Sequence, residues 1–189
     1  MNVELWSWNL DVPDAECRCL SRVLSGEELA RAARFIGPLH AARYTVGRGR
    51  LRQILGWYTG RPPAALAFRY GAHGKPYLTG PGRHPFFSLS HSGPIAMLGI
   101  AEVELGIDLE LIRPSPEQVE DFFSVAEQAA LSRMVGAERI GGFYRCWTRK
   151  EAVLKALGGG SRSGSPSSMS RSSRTNLRVS SAWARTTER

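Results

Sequence analysis

A chain of 189 residues, 42% of them hydrophobic, has enough apolar side chains for one domain or two small lobes with a real core. No apolar run reaches bilayer length, and the start, Met-Asn-Val-Glu-Leu-Trp, lacks the basic-then-apolar layout of a secretory signal. A cytoplasmic chain with no membrane partner is therefore expected. The net charge of +8 is concentrated, because residues 161–189 hold six Arg and one Glu, so the high pI is weak evidence for nucleic acid and no nucleic-acid partner is expected. Cys17, Cys19 and Cys146 are odd in number and lack a second pair at zinc spacing, which reads as reduced structural thiols.

In chain order, Val3 to Trp8 reads as a strand. Ser25-x-x-Glu28 is a capping box that opens a helix through Ala30, Ala33 and Arg34. A second helix spans about His40 to Tyr58, with apolar positions near Tyr44, Leu51, Ile54, Leu55 and Tyr58, and Gly60-Arg61-Pro62-Pro63 ends it. Arg48 and Arg52 share one face of this helix, and its arginines beyond any anion-binding one are expected to face solvent. Leu66 to Tyr70 reads as a strand and Gly71 to Gly74 as a turn. Phe86 to Leu89 and Ile95 to Glu102 read as two strands around Ser92-Gly93-Pro94. Further on, Arg113-Pro114-Ser115-Pro116 is a break, and Phe122 and Phe123 lead into another capping box, Ser124-x-x-Glu127, with at least one of the two in a core.

Two segments carry the chemistry. Gly106-Ile107-Asp108-Leu109-Glu110 alternates with period two and reads as a strand, so Asp108 and Glu110 point to one face. Trp147-Thr148-Arg149-Lys150-Glu151-Ala152-Val153-Leu154-Lys155 reads as a helix start, with Glu151 and Lys155 one turn apart on one face, and Gly158-Gly159-Gly160 closes it. Three carboxylates and a lysine converging between strand and helix suit a hard cation such as Mg²⁺, which leaves positions for substrate phosphates and water. Piece by piece, ordinary structural readings stay open. The strand face could be solvated, Thr148-x-x-Glu151 has the form of a capping box, and Glu151 to Lys155 is the favourable ion-pair order.

These two segments, with Gly74-Lys75-Pro76-Tyr77-Leu78, Phe87-Ser88-Leu89-Ser90-His91-Ser92 and the upstream Arg43-Tyr44 and Gly47-Arg48-x-Arg50-Leu51-Arg52, resemble the 4′-phosphopantetheinyl transferases over residues 3 to 160. The upstream part resembles the two-lobed, surfactin-synthetase-activating type. The resemblance implies an α+β fold of two similar lobes related by pseudo-two-fold symmetry, with the site in the cleft between them. The lobes would be residues 1–103 and 104–160. It implies transfer of 4′-phosphopantetheine from coenzyme A to a serine of an acyl or peptidyl carrier protein, with Mg²⁺ as cofactor and 3′,5′-ADP leaving, in secondary-metabolite biosynthesis. A monomer is expected.

The same resemblance distributes roles over the motifs. Asp108, Glu110 and Glu151 would hold the metal, Glu151 and Lys155 would be catalytic, and Lys150 is either part of the motif or a helix-surface residue. Arg43, Lys75, Pro76, Ser90, His91 and Lys155 would bind coenzyme A, with Arg43 on the 3′-phosphate. The carrier would dock between Arg113 and Phe123. After Gly160 the text changes: residues 161–189 hold ten Ser and six Arg and read as a disordered tail, where the family would continue with strands. A frame change in the coding sequence is expected to account for this, with a natural arginine-serine tail that binds nucleic acid or membrane as the rival. The second lobe is then incomplete, and the alternative to an active transferase is a non-catalytic coenzyme A or carrier-protein binder.

Overall fold

The computed structural model describes residues 2–114, 122–158 and 177–179, and the fold is α+β. The sheet runs β4-β5-β1-β6, formed by β1 (Val3–Asn9), β4 (Phe86–Ser92), β5 (Ile95–Ala101) and β6 (Leu177–Val179). A separate hairpin joins β2 (Ala67–Tyr70) to β3 (Pro76–Thr79). The helices are α1 (Asp14–Ser21), α2 (Gly26–Ala33), α3 (Pro38–Thr59), α4 (Val125–Ser132) and α5 (Gly136–Ala156), with a 3₁₀ turn at Pro63–Ala65. β1 and β4 both lie antiparallel to β5, with Leu5 opposite Gly99 and Ser90 opposite Met97, while β6 lies parallel to β1. The sequence offered no strand in 161–189, yet β6 falls there. Among the described residues no helix is long and apolar enough to cross a membrane.

The strands have two differently dressed faces because side chains alternate along them. Trp6 and Trp8 of β1 and Phe87 and Leu89 of β4 join Val46, Leu51, Ile54 and Leu55 of α3 in the main core. On the other face, Val3 and Leu5 meet Leu105 and Ile107 in a smaller cluster. A third cluster, Phe123, Leu131 and Phe143, with Trp147 against it, holds α4 on α5. Phe123 is thus core while Phe122 is exposed.

The expected start of the second helix is close to the observed Pro38, and Gly60 ends it with φ of 65°, the left-handed cap that glycine adopts without strain. Its arginines depart from expectation. Arg48 and Arg52 are buried rather than solvated, at 7% and 2% exposure. Glu28, in the capping box at the start of α2, explains this. Its Oε1 accepts from Arg48 Nε at 2.7 Å, and its Oε2 accepts from Arg52 Nε at 2.6 Å and from the Ser25 N–H at 2.9 Å. Arg52 also donates to the carbonyls of Pro63 and Leu66, both at 2.9 Å, and both guanidiniums stack on Phe68. Burial pushes the Glu28 carboxyl up, but the Arg48 charge, the Ser25 N–H and the hydrogen bonds from both arginines hold it below its ordinary value. A capping carboxylate therefore also anchors α2 to α3.

The second capping box forms as read, with Ser124 and Glu127 bonded reciprocally at the start of α4. Thr148-x-x-Glu151 does not cap anything. α5 begins at Gly136, Thr148 lies mid-helix, and its hydroxyl donates to the Tyr144 carbonyl at 2.9 Å. The run from Gly136 to Cys146 hid the true start, because Gly141 and Gly142 lower helix propensity and packing overrides it.

Gly106 sets the distance between α5 and the segment after β5. A Cβ there would stand 1.8 Å from the Ala152 carbonyl oxygen and 2.4 Å from the Ala156 nitrogen, so only glycine permits this backbone contact.

Three outcomes check these contacts. Glu28→Gln strands two buried guanidiniums and should cost about 3–5 kcal/mol in urea unfolding, whereas exposed Glu27→Gln should change stability little. Gly106→Ala should destabilise by at least about 1–3 kcal/mol, because backbone rather than a flexible side chain must give way. Glu127, beside Lys150 at 2.8 Å, is held at about 2 despite partial burial, chiefly by that ammonium and the Ser124 N–H. Its stabilisation is complete above its ordinary 4.5 and is lost as the pH falls toward about 2. The stability gap between wild type and Glu127→Gln should therefore narrow across that window in acid titrations monitored by circular dichroism. A pH-independent gap would contradict the assignment.

Candidate functional site

The segment from Gly106 to Leu111 is extended, as its alternation suggests, but it is not a strand. Its N–H groups go to side-chain hydroxyls of β4 instead of to carbonyls. Ile107 donates to Ser88 Oγ at 3.1 Å, Leu109 to Ser90 Oγ at 3.2 Å and Leu111 to Ser92 Oγ at 2.8 Å. The Ser-x-Ser-x-Ser alternation of β4 thus supplies a row of acceptors parallel to the segment. The opposite phase of β4 places Phe87 and Leu89 in the core.

Two of these hydroxyls also donate. Ser90 donates to Asp108 Oδ1 at 3.0 Å, and Ser92 donates to Glu110 Oε2 at 3.1 Å. Lys155 Nζ, arriving from α5, donates to Asp108 Oδ1 at 2.5 Å and to Ser90 Oγ at 3.0 Å. Ser90 Oγ therefore spends its single proton and both lone pairs inside this cluster. The Asp108 side chain is 4% exposed, and its Oδ2 is buried with no hydrogen-bond partner among the described residues. Such an orphan is rare enough in native proteins to need an explanation.

Glu151 is buried at 8% exposure on the same face of α5 as Lys155. Burial and then the Asp108 charge raise its affinity for a proton, Glu110 adds to this, and Lys155 opposes it. Glu151 therefore senses both of the other carboxylates chosen from the sequence. The three are not gathered into a finished site: among the described residues no three His, Cys, Asp or Glu side chains form a group that could hold a metal ion. Lys150, next to Glu151 in sequence, points away and pairs with Glu127 of α4 at 2.8 Å, which favours its structural reading.

The remaining residues divide. Alternation puts His91 on the face of β4 opposite Ser90. Partial desolvation, then the Lys155 and Arg43 cations, hold its imidazole below the ordinary value, with Glu110 opposing. Arg43 on α3 forms a bidentate pair with Asp11, at 2.6 and 2.7 Å. Lys75, at the β2–β3 turn beside Pro76, donates to Glu104 at 2.5 Å, to the Leu105 carbonyl at 2.9 Å and to the Ala156 carbonyl at 3.4 Å. It ties the hairpin to the start of the carboxylate segment and to the end of α5. The structure thus joins Ser90, Asp108 and Lys155 directly, sets Glu110 and Glu151 beside them, and commits Arg43 and Lys75 to protein partners.

Sequence reading missed Ser88 and Ser92 and the contact made by Gly106. The signal for the serines was their spacing of two, matching the spacing of Asp108 and Glu110. The expected carrier-docking segment falls mainly on 115–121, outside the described residues. At its edge the Arg113 N–H donates to Tyr144 Oη at 3.0 Å.

Comparison with known proteins bears on this arrangement. The sequence model of the 4′-phosphopantetheinyl transferase superfamily matches residues 104–188, so the match runs past Gly160, where the motif-based resemblance was expected to end. The 4′-phosphopantetheinyl transferase HetI of Nostoc sp. is 40% identical over 164 residues, covering 84% of this chain and 69% of that protein. A 4′-phosphopantetheinyl transferase of Bacillus subtilis is 30% identical over 139 residues, covering 72% of this chain and 61% of its own length. The 4′-phosphopantetheinyl transferase AcpT of Salmonella typhimurium is 40% identical over 94 residues, 48% of each chain. The chain therefore spans only about half to two thirds of these curated relatives. On this similarity, and with the motif residues assembled between β4 and α5, the chain belongs to the 4′-phosphopantetheinyl transferases, a family of transferase enzymes.

Proposed function

We propose that the chain transfers 4′-phosphopantetheine from coenzyme A to a serine hydroxyl of an acyl or peptidyl carrier protein, releasing 3′,5′-ADP. The observation that carries this reading is Asp108, whose Oδ1 accepts from Ser90 and Lys155 while its buried Oδ2 has no partner among the described residues. A buried carboxylate oxygen left free beside two more carboxylates fits a hard cation, and the all-oxygen donor set fits Mg²⁺. Asp108, Glu110 and Glu151 would hold it. When bound, the ion supplies Lewis-acid neutralisation of the pyrophosphate charge.

The chain's own residues account for the rest. Lys155 uses two of its three N–H donors on Asp108 and Ser90, so the third is available to a phosphate oxygen. That contact would strengthen as charge moves to the leaving phosphate. Glu151 is the candidate to take the proton of the carrier serine, directly or through water. Ser90, His91, Lys75, Pro76 and Arg43 would bind coenzyme A, with Lys75 and Arg43 exchanging protein partners for the nucleotide. The segment from Arg113 to Phe123 would receive the carrier, and exposed Phe122 is suited to an apolar contact there. The two-lobed arrangement of the family, action as a monomer and a cytoplasmic location belong to the same reading.

Mass spectrometry of an apo carrier domain incubated with the chain, coenzyme A and Mg²⁺ tests it. The expected result is a carrier heavier by one phosphopantetheine. Asp108→Asn should lower the rate about a hundredfold or more, since several kcal/mol of charge stabilisation is at stake. Undiminished transfer in excess chelator would remove the metal from the reading. Coenzyme A binding with no transfer would favour the non-catalytic alternative.

A further inference from the structure

The three hydroxyls of β4 follow one rule with one exception. Ser88, Ser90 and Ser92 each accept the N–H of the residue 19 positions on, at 3.1, 3.2 and 2.8 Å. Ser90 and Ser92 each also donate to the carboxylate 18 positions on, Asp108 at 3.0 Å and Glu110 at 3.1 Å. For Ser88 that position is Gly106, which has no side chain to receive the proton. Ser88 therefore supports backbone alone, while Ser90 and Ser92 each link backbone to a carboxylate.

From this difference we infer that Ser92 is a positioning residue for the cation, limiting the rotation of the Glu110 carboxylate. The inference rests on the metal reading above and assigns a residue which that reading leaves out. Glu110 has more rotatable bonds than Asp108 and lacks a Lys155 of its own. Among the described residues Ser92 is the side chain that hydrogen-bonds it. Ser92 Oγ is itself fixed, because the Leu111 N–H at 2.8 Å occupies one lone pair and turns the hydroxyl proton toward Glu110. Groups that orient metal ligands in this way typically govern affinity by about ten- to a hundredfold.

The test measures Mn²⁺ binding to the full 189-residue chain in the presence of coenzyme A by electron paramagnetic resonance, beside thermal unfolding of each variant. Ser92→Ala should weaken Mn²⁺ binding about ten- to a hundredfold. Ser88→Ala should lower the unfolding midpoint and weaken Mn²⁺ binding far less than Ser92→Ala. Ser92→Thr keeps the hydroxyl and should restore binding, whereas Ser92→Val, of the same shape without it, should not. This pair decides the matter if Ser92→Ala does not fold. Wild-type affinity in Ser92→Val or Ser92→Ala overturns the inference, as does an equal loss in Ser88→Ala. A wild-type chain that binds no Mn²⁺ overturns the metal reading and this inference together. Binding by wild type with no change in the Ser92 variants overturns this inference alone.

Discussion

Where residue 106 meets α5, the backbones of two segments lie too close for any side chain between them. With Gly106 against the Ala152 carbonyl, the next residues of the same extended segment bring Asp108 alongside Lys155, about one helical turn on. The contact sets depth, and the serine row of β4 sets register. Neither alone places the Asp108 carboxylate. A segment held only by hydroxyls could slide along β4, and one held only by Gly106 could rotate about its own axis. Held at both edges, it presents Asp108 and Glu110 in a fixed phase. The small cluster of Val3, Leu5, Leu105 and Ile107 fills the opposite phase with apolar atoms.

The chain buries carboxylates in two contrasting ways. Glu28 is 4% exposed, and both of its oxygens accept hydrogen bonds, from Arg48, Arg52 and Ser25. Its charge is matched inside the protein, and the cluster does structural work by joining α2, α3 and β2. Asp108 is as deeply buried at the side chain, yet Lys155 satisfies only one of its oxygens. Two further carboxylates stand near it, and one of them, Glu151, is pushed toward protonation. A structural network gains nothing from an unpaired oxygen beside like charges, because each such group costs free energy without a partner. The imbalance is one that a cation from outside the chain, as proposed for this cluster, would relieve.

Much of this was legible in the sequence where local rules decide structure. Ser25-x-x-Glu28 and Ser124-x-x-Glu127 form real capping boxes because each serine has extended backbone at a helix start, where its side chain and the glutamate three residues on bond reciprocally. Thr148-x-x-Glu151 has the same spelling but lies inside α5, where tertiary packing on Phe123 and Leu131 carries the helix through two glycines. Pairing across the fold was not legible. Nothing local distinguishes Arg48 and Arg52 from the solvated arginines of the chain, since their partner Glu28 is reached only after α2 folds onto α3. Lys75 was read from a motif as a nucleotide contact, and its present partners, Glu104, Leu105 and Ala156, are distant in sequence. The strand expected at Gly106 to Glu110 has the right period and face. Its hydrogen-bond acceptors are side chains, and no period reveals that.

Serine hydroxyls have a consequence for the site that carbonyl acceptors would not. A carbonyl only accepts, so a true strand pairing would fix the backbone of residues 107 to 111 and leave the carboxylates free to turn. A hydroxyl accepts and donates at once, so each serine that holds an N–H can also orient a carboxylate beside it. Ser90 extends this to the lysine, because its oxygen touches the Leu109 N–H, Asp108 and Lys155 together. Strand β4, the carboxylate segment and α5 are thereby joined through a single atom. Displacing the lysine toward a substrate phosphate would return a lone pair to Ser90 and charge to Asp108, and both changes favour a cation at the free oxygen. Phosphate and cation would then favour each other's binding through Ser90 and Asp108, a coupling that follows from the hydrogen-bond inventory of one side chain.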